Sequence, residues 1–180
     1  MKVQVEISAR HIHFSQEDYH QLFDALPDKI KDLSQPGEYA TDKTVTIASD
    51  SGEIPGVRVL MPFRKKTQIE ISMTDMYKLK IAAPVRISGD LKGAPELSVN
   101  GKIKASVIIA KRHLHLNPKD GKLDDTVKAV FGGERGGTLD NVVVRSSKDF
   151  ATRLHIDTDE ANAMGASNGD TVGIRQEDVQ

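Results

Sequence analysis

The sequence predicts a mainly β protein made of two related halves, and three observations carry that expectation. Val3, Val5 and Ile7 alternate with polar residues in "MKVQVEIS", and "TVTIAS", "GVRVLM" and "TQIEIS" continue this period-2 pattern between turn-forming segments such as "DSG". Aromatic residues make up only 4 % of the chain and Trp is absent, so the core falls to Val, Ile, Leu and Ala, which suits small sheets or barrels. Finally, "SARHIHFSQED" at residues 8–18 is echoed by "IAKRHLHLNPKD" at 109–120. Each copy is Arg-His-x-His with an Asp five residues beyond the second His.

The elements follow in order. The first strand runs directly into the first His pair, which places that pair at a strand end. Residues 16–23 read as a short helix capped by Ser15, with Leu22 and Phe23 on its apolar side. Residues 26–43, "LPDKIKDLSQPGEYATDK", carry Pro, Gly and charge, and are expected as a long excursion. Strands return at 44–49, 56–61 and 67–72, followed by a helical piece near 74–79. The second half repeats part of the first: "GVRVLMPFRKKTQIEI" (56–71) aligns without gaps on "NVVVRSSKDFATRLHI" (141–156), an offset of 85 residues. Val57 falls on Val142, Val59 on Val144, Thr67 on Thr152 and Ile71 on Ile156, while Glu70 falls on His155.

Composition narrows the function. At 180 residues the chain can bury a core as one domain or two small ones, and its 38 % hydrophobic and 28 % charged residues are ordinary for a folded globular protein. A net charge of −1 gives no electrostatic footprint for nucleic acid or an anionic membrane, so neither is expected as a partner. No apolar run is long enough for a signal sequence or a membrane span, and a cytoplasmic protein is expected. With no cysteine, any metal must be held by histidine and carboxylate.

Residues i and i+2 of a strand share a face, so His11 with His13, and His113 with His115, can each hold one ion. Adding the aligned Glu70 and His155 gives two triads: His11, His13, Glu70 and His113, His115, His155. Three protein ligands leave coordination positions open, as catalytic sites do. His20 lies outside the scheme. Asp157 and Asp159 in "HIDTDE" are read as a cap for the following helix, with support of an imidazole as the alternative. A cupin, a barrel amidohydrolase and a metallo-β-lactamase all use His-x-His. The first fails on its missing glycines, the second on chain length and the third on the absence of His-x-His-x-Asp-His.

Seven blocks in order, "SARHIHFSQED", "LSQPGEYA", "RKKTQIEISMTD", "PVRISGDLKG", "KRHLHLNP", "GGERGGTLDNVVVR" and "LHIDTDEANAMG", make the chain similar to the phosphate propanoyltransferases of the PduL type. This resemblance implies two small β-barrels with short helical caps. One would be built from residues 1–9 and 106–180, the other from 10–105 with its excursion at 26–43. It implies exchange between acyl-CoA and phosphate, giving acyl phosphate and coenzyme A, at a site with two zinc ions. His11, His13 and Glu70 would bind one zinc, which can meet the sulfur. His113, His115 and His155 would bind the other, completed by water or phosphate. Arg64 matches the family's phosphate-binding arginine and Ser88 its serine near the substrate. A homodimer is implied as well.

Two departures are visible. "LNPKDGKLDDTVKAV" is shorter than the resemblance leads one to expect, so a short helix of the C-terminal barrel is expected to be trimmed. The first strand begins at residue 2, without the targeting segment of microcompartment members, so a cytoplasmic enzyme is expected rather than one in a microcompartment lumen. A dinuclear metal hydrolase acting on a thioester or phosphoester, and a non-catalytic metal-binding module, are the alternatives.

Overall fold

The computed structural model describes residues 1–176. In chain order the elements are β1 (Lys2–Ser8), β2 (His11–His13), α1 (Gln16–His20), β3 (Lys29–Asp32), β4 (Tyr39–Ala48), β5 (Glu53–Met61), β6 (Gln68–Glu70), α2 (Met73–Leu79), β7 (Val85–Arg86), β8 (Glu96–Val99), β9 (Ile103–Ala110), β10 (His113–Leu116), β11 (Thr126–Val130), β12 (Thr138–Ser146), β13 (Arg153–Asp157), α3 (Thr158–Met164) and β14 (Thr171–Gln176). The protein is therefore mainly β, as its alternating apolar pattern predicts.

The chain divides into two compact units. One takes Met1–Ser8, Ser34–Pro36 and the residues from Lys111 onward; the other takes Ala9–Leu33 and Gly37–Ala110. In the first unit the order β1-β13-β10-β12-β11-β14 closes on itself, because Val3 of β1 pairs with Val172 of β14 while Val5 pairs with Leu154 of β13. The second unit runs β4-β5-β2-β6-β9, and β8 pairs with both β4 and β9, which closes a second six-stranded barrel. β3 adds to the outside of β4, and β7 to β9.

The two barrels share one wiring. The His-x-His strand of each (β2, β10) lies parallel to one neighbour (β5, β12) and antiparallel to the other (β6, β13). The strand parallel to β6 is β9, and the strand parallel to β13 is β1. In both units, therefore, the strand written just before the His pair in the sequence belongs to the other unit's barrel. Even a backbone detail recurs: Gly56 and Asn141, 85 residues apart, each stand fourth in their strand, β5 and β12, with positive φ (71° and 58°), a conformation that Gly and Asn tolerate best. Each barrel has its own aliphatic core. Ile12, Val57, Val59, Ile69, Leu97 and Val107 centre one; Val5, Leu114, Val127, Val142, Leu154 and Val172 centre the other.

Three details differ from the sequence reading. Residues 106–110, expected with the C-terminal module, are the end of β9 and pair with β6 at Gln68↔Ser106 and Glu70↔Ile108. They continue an apolar strand that has no reason to break at 106. α1 stops at His20 instead of Phe23, its end tightening into i→i−3 bonds from Gln21 N to Asp18 O and from Leu22 N to Tyr19 O. Its anchor is Tyr19, fully buried among the rings of Phe14, Phe23 and Phe63. Lastly, residues 34–36 of the excursion group with the first unit. In the C-terminal half the position of α1 is taken by a single 3-10 turn, Pro118–Asp120. Among the described residues no helix is long and apolar enough to cross a membrane.

Candidate metal centres

β2 is three residues long and buried throughout, and its register sets His11 opposite Glu70 and His13 opposite Gln68. Strand alternation then turns His11, His13 and Glu70 to one face, and one ligand atom from each falls within 4.8 Å of the others. The C-terminal copy of the repeat does the same with β10 and β13: His113 stands opposite His155, and His113, His115 and His155 gather within the same limit. The structure thus brings together both groups of three read from the sequence.

The protonation pattern of these groups suits a cation. Nδ1 of His11 lies 2.8 Å from Ala9 O, and Nδ1 of His113 lies 3.0 Å from Lys111 O. A carbonyl only accepts, so Nδ1 carries a hydrogen in both rings, and the neutral tautomer this selects has its lone pair on Nε2. His11 Nε2 is 3.5 Å from Glu70 Oε2, close to the ~3.3 Å between neighbouring corners of a tetrahedral shell with zinc bonds of about 2.0–2.1 Å. Nδ1 of His13 and Nδ1 of His115 are buried without a hydrogen-bond partner. An orphaned imidazole nitrogen at the same place in both barrels is what a missing electrophile would leave, and it is costly otherwise. Burial, reinforced by the neighbouring His11 and Arg64, holds His13 well below the usual histidine range. Burial with His113 and Arg145 lowers His115 to about 3, and His155 is also held well below its usual value, chiefly by burial. Their lone pairs are therefore free at neutral pH, and the residues present fit a metal ion of the zinc type in each barrel.

The repeated residues around the histidines are the scaffold of this arrangement. Asp18 accepts a hydrogen bond from Thr67 Oγ1, which itself accepts from Ser15 N at 2.9 Å. Asp120 accepts from Thr152 Oγ1 at 2.6 Å, which accepts from Asn117 N at 2.9 Å. Each Asp–Thr latch ties the turn after a His pair to the strand that carries the third ligand three residues past the Thr. This accounts for the Asp five residues beyond each pair. The arginine before each pair has a matching role. Arg10 pairs with Asp75 at 2.7 Å and Arg112 with Glu160 at 2.6 Å, both carboxylates being the N3 residues of capping boxes on α2 and α3. Asp157 is the N-cap of α3, and Asp159 sits in its first turn. His20 lies apart from both triads, edge-on to Tyr19.

Beyond this scaffold the two centres diverge. At the first, Arg64 Nη1 donates to Ser88 Oγ at 2.8 Å and lies 3.8 Å from Glu70 Oε1, so Arg64 and Ser88 are gathered at the carboxylate. Ser88 Oγ donates to Glu70 Oε1 at 2.7 Å, and Gln68 Nε2 donates to the same oxygen. Oε2 is left facing His11. Gln68, fully buried, also accepts from Gly89 N at 2.8 Å and so fixes the loop that carries Ser88. At the second centre the place of Lys65 is taken by Phe150, whose ring stacks on His115 with centroids 4.1 Å apart. Gln35, from the excursion, reaches His155 there, with nitrogen to nitrogen at 3.4 Å. Sequence reasoning missed Gln68, Gln35 and the latches. The coincidence of Thr67 with Thr152 and the repeated Asp were signals for the latches; Gln68 and Gln35 have no counterpart in the other half.

Comparison with known proteins places this geometry. Residues 4–167 match the family model for phosphate propanoyltransferase. Proteins described as phosphate propanoyltransferase from Thermotoga maritima (46 % identical, covering 94 % of this chain and 87 % of the relative), Rhodobacter capsulatus (44 %, covering 97 % and 86 %) and Salmonella typhimurium (43 %, covering 90 % and 83 %) are similar over nearly their whole length. The match spans both barrels and both triads, and the chain belongs to the phosphate propanoyltransferase family of acyltransferases.

Proposed function

We propose that this member transfers a short acyl group between coenzyme A and phosphate, with one zinc ion held by His11, His13 and Glu70 and another by His113, His115 and His155. The reaction is acyl-CoA plus phosphate giving acyl phosphate plus coenzyme A: the phosphate oxygen forms a bond to the acyl carbon as the carbon–sulfur bond breaks, and the sulfur leaves as thiolate. The observation that carries the reading is the pairing of two open three-ligand groups with orphaned, unprotonated imidazole nitrogens, in a chain of this family. When bound, zinc supplies positive charge for the thiolate leaving group and for the phosphate oxyanion.

The rest is the work of the chain. Two neutral imidazoles and one carboxylate leave a zinc at the first centre with a net single positive charge, suited to a soft thiolate. Three neutral imidazoles leave two positive charges at the second, suited to a multiply charged oxyanion. Ser88 and Gln68 occupy Glu70 Oε1 and keep the carboxylate from turning. Arg64, with its side chain about one-third exposed, offers a planar fork that grips two phosphate oxygens and sets them for attack. Propanoyl is the acyl group named for the relatives; this chain is assigned propanoyl or another short acyl group.

The test is release of coenzyme A from acetyl-, propanoyl- and butanoyl-CoA with and without phosphate. Strict dependence on phosphate and accumulation of acyl phosphate are expected. Equal release in phosphate-free buffer, with free acid as product, would make the protein a hydrolase.

A further inference from the structure

The carboxamide of Gln35 is the least explained polar group in the molecule. Its residue is buried to 5 % exposure, and it comes from Ser34–Pro36, three excursion residues that group with the unit containing the tri-histidine centre. Nε2 donates to Ala151 O at 3.0 Å. That bond fixes the amide, because turning it over would set Oε1 against a carbonyl oxygen. The same nitrogen lies 3.4 Å from His155 Nε2, and Oε1 is buried with no hydrogen-bond partner.

An amide nitrogen has two hydrogens, and Ala151 uses one. The other has two acceptors at long range, His155 Nε2 and Ser34 Oγ, each at 3.4 Å, and if a metal takes the lone pair of His155 Nε2 only the long Ser34 contact is left to it. What remains at the edge of the tri-histidine centre is one weakly engaged donor and one buried free acceptor, on a single carboxamide held by Ala151. Hydrogen phosphate has the complement, anionic oxygens that accept and a P–O–H that donates. A purely aprotic anion would satisfy only half of the amide, and an apolar group none of it.

We infer that Gln35 is a further hydrogen-bonding partner for the phosphate nucleophile, at the His113–His115–His155 centre. Nε2 donates to a phosphate oxygen and Oε1 accepts from its hydroxyl. This rests on the two-zinc reading above and adds to it a residue that orients the nucleophile, delivered by the excursion of the first half. Gln35 is not a metal ligand in this arrangement, and its loss leaves metal content unchanged.

The test uses the cobalt(II)-substituted full chain, whose visible absorption reports the metal's surroundings without turnover, titrated with inorganic phosphate. Gln35→Glu keeps the shape but replaces the donor with a negative charge; Gln35→Ala removes both groups. Each variant is expected to retain the wild-type metal stoichiometry and to bind phosphate on the order of tenfold to a hundredfold more weakly, Glu being the worse. In steady state the KM for phosphate rises while that for acyl-CoA stays within about twofold. Wild-type phosphate affinity in Gln35→Glu, or loss of metal from both variants, overturns the assignment. If the wild-type chain itself binds fewer than two metal ions, the two-zinc reading fails instead, and the two failures are told apart by metal analysis before any phosphate is added.

Discussion

The two Asp–Thr latches provide an internal experiment, since one geometry is built at two levels of burial. Thr67→Val and Thr152→Val each replace a hydroxyl by a methyl of equal size. Each leaves a backbone N–H, that of Ser15 or Asn117, without its acceptor. Both N–H groups are partly buried, so this part of the cost is similar, about 1–2 kcal/mol. The second bond differs: Thr67 is 6 % exposed and its carboxylate partner Asp18 is half-buried, whereas the Thr152–Asp120 bond lies at the surface. A charge-assisted bond away from solvent contributes about 1.5–3 kcal/mol, while water takes over most of the exposed one. Thr67→Val should therefore cost about 3 kcal/mol and Thr152→Val about 1.5 kcal/mol. The two units need not unfold together, so the assay is denaturant-dependent hydrogen exchange read in each barrel separately. A cost for Thr152→Val equal to or larger than that for Thr67→Val would show that the latches do not work through these bonds.

Three further outcomes follow from the centres. Purified protein should contain about two zinc ions per chain, and Glu70→Ala or His113→Ala about one, since loss of one of three ligands removes most of the affinity; elemental analysis decides. Arg64→Ala should keep its zinc yet raise the KM for phosphate more than that for acyl-CoA, with kcat down by at least tenfold and little rescue by Lys; unchanged phosphate kinetics would return Arg64 to an ordinary surface role. In metal-free protein, His13 and His115 are kept neutral by burial but protonate near pH 6.5 once unfolded, so the unfolded chain binds the extra protons and stability must fall as pH drops below about 6.5. The loss approaches about 1.4 kcal/mol per pH unit for each histidine, continuing for His115 to about pH 3, and urea titrations at pH 7, 6 and 5 measure it.

The centres were more legible in the sequence than the topology. His-x-His needs only strand alternation to become a two-ligand face, and a gapless 85-residue offset carried Glu70 onto His155 because β5–β6 and β12–β13 are joined by loops of the same length. The repeated Asp and Thr were visible as coincidences, but their bond spans 49 residues in one half and 32 in the other, and nothing local announces it. Gln68 lay hidden in a strand as an ordinary alternating position. Gln35 was passed over as part of a polar excursion, since only tertiary placement buries it. The partner of β9 was equally invisible: Ile103–Ala110 satisfies its alternation and apolar run against any neighbour, and the sequence offers no register until β6 is beside it.

The exchange of β1 and β9 between barrels has a consequence for how the chain is made. The barrel containing β2 has all six strands once Ala110 has been synthesised, and its β8–β9 pairing is a local hairpin between Val99 and Ile103. The other barrel cannot close until Val5 meets Leu154 and Val3 meets Val172, so its first strand waits through most of translation with both edges open. During that interval the emerging polypeptide carries one finished module and, ahead of it, an adhesive ribbon that any free strand edge could capture. A C-terminal fragment starting at Lys111 would inherit the complementary defect, a seam between β13 and β14 that a peptide of residues 2–8 is shaped to fill.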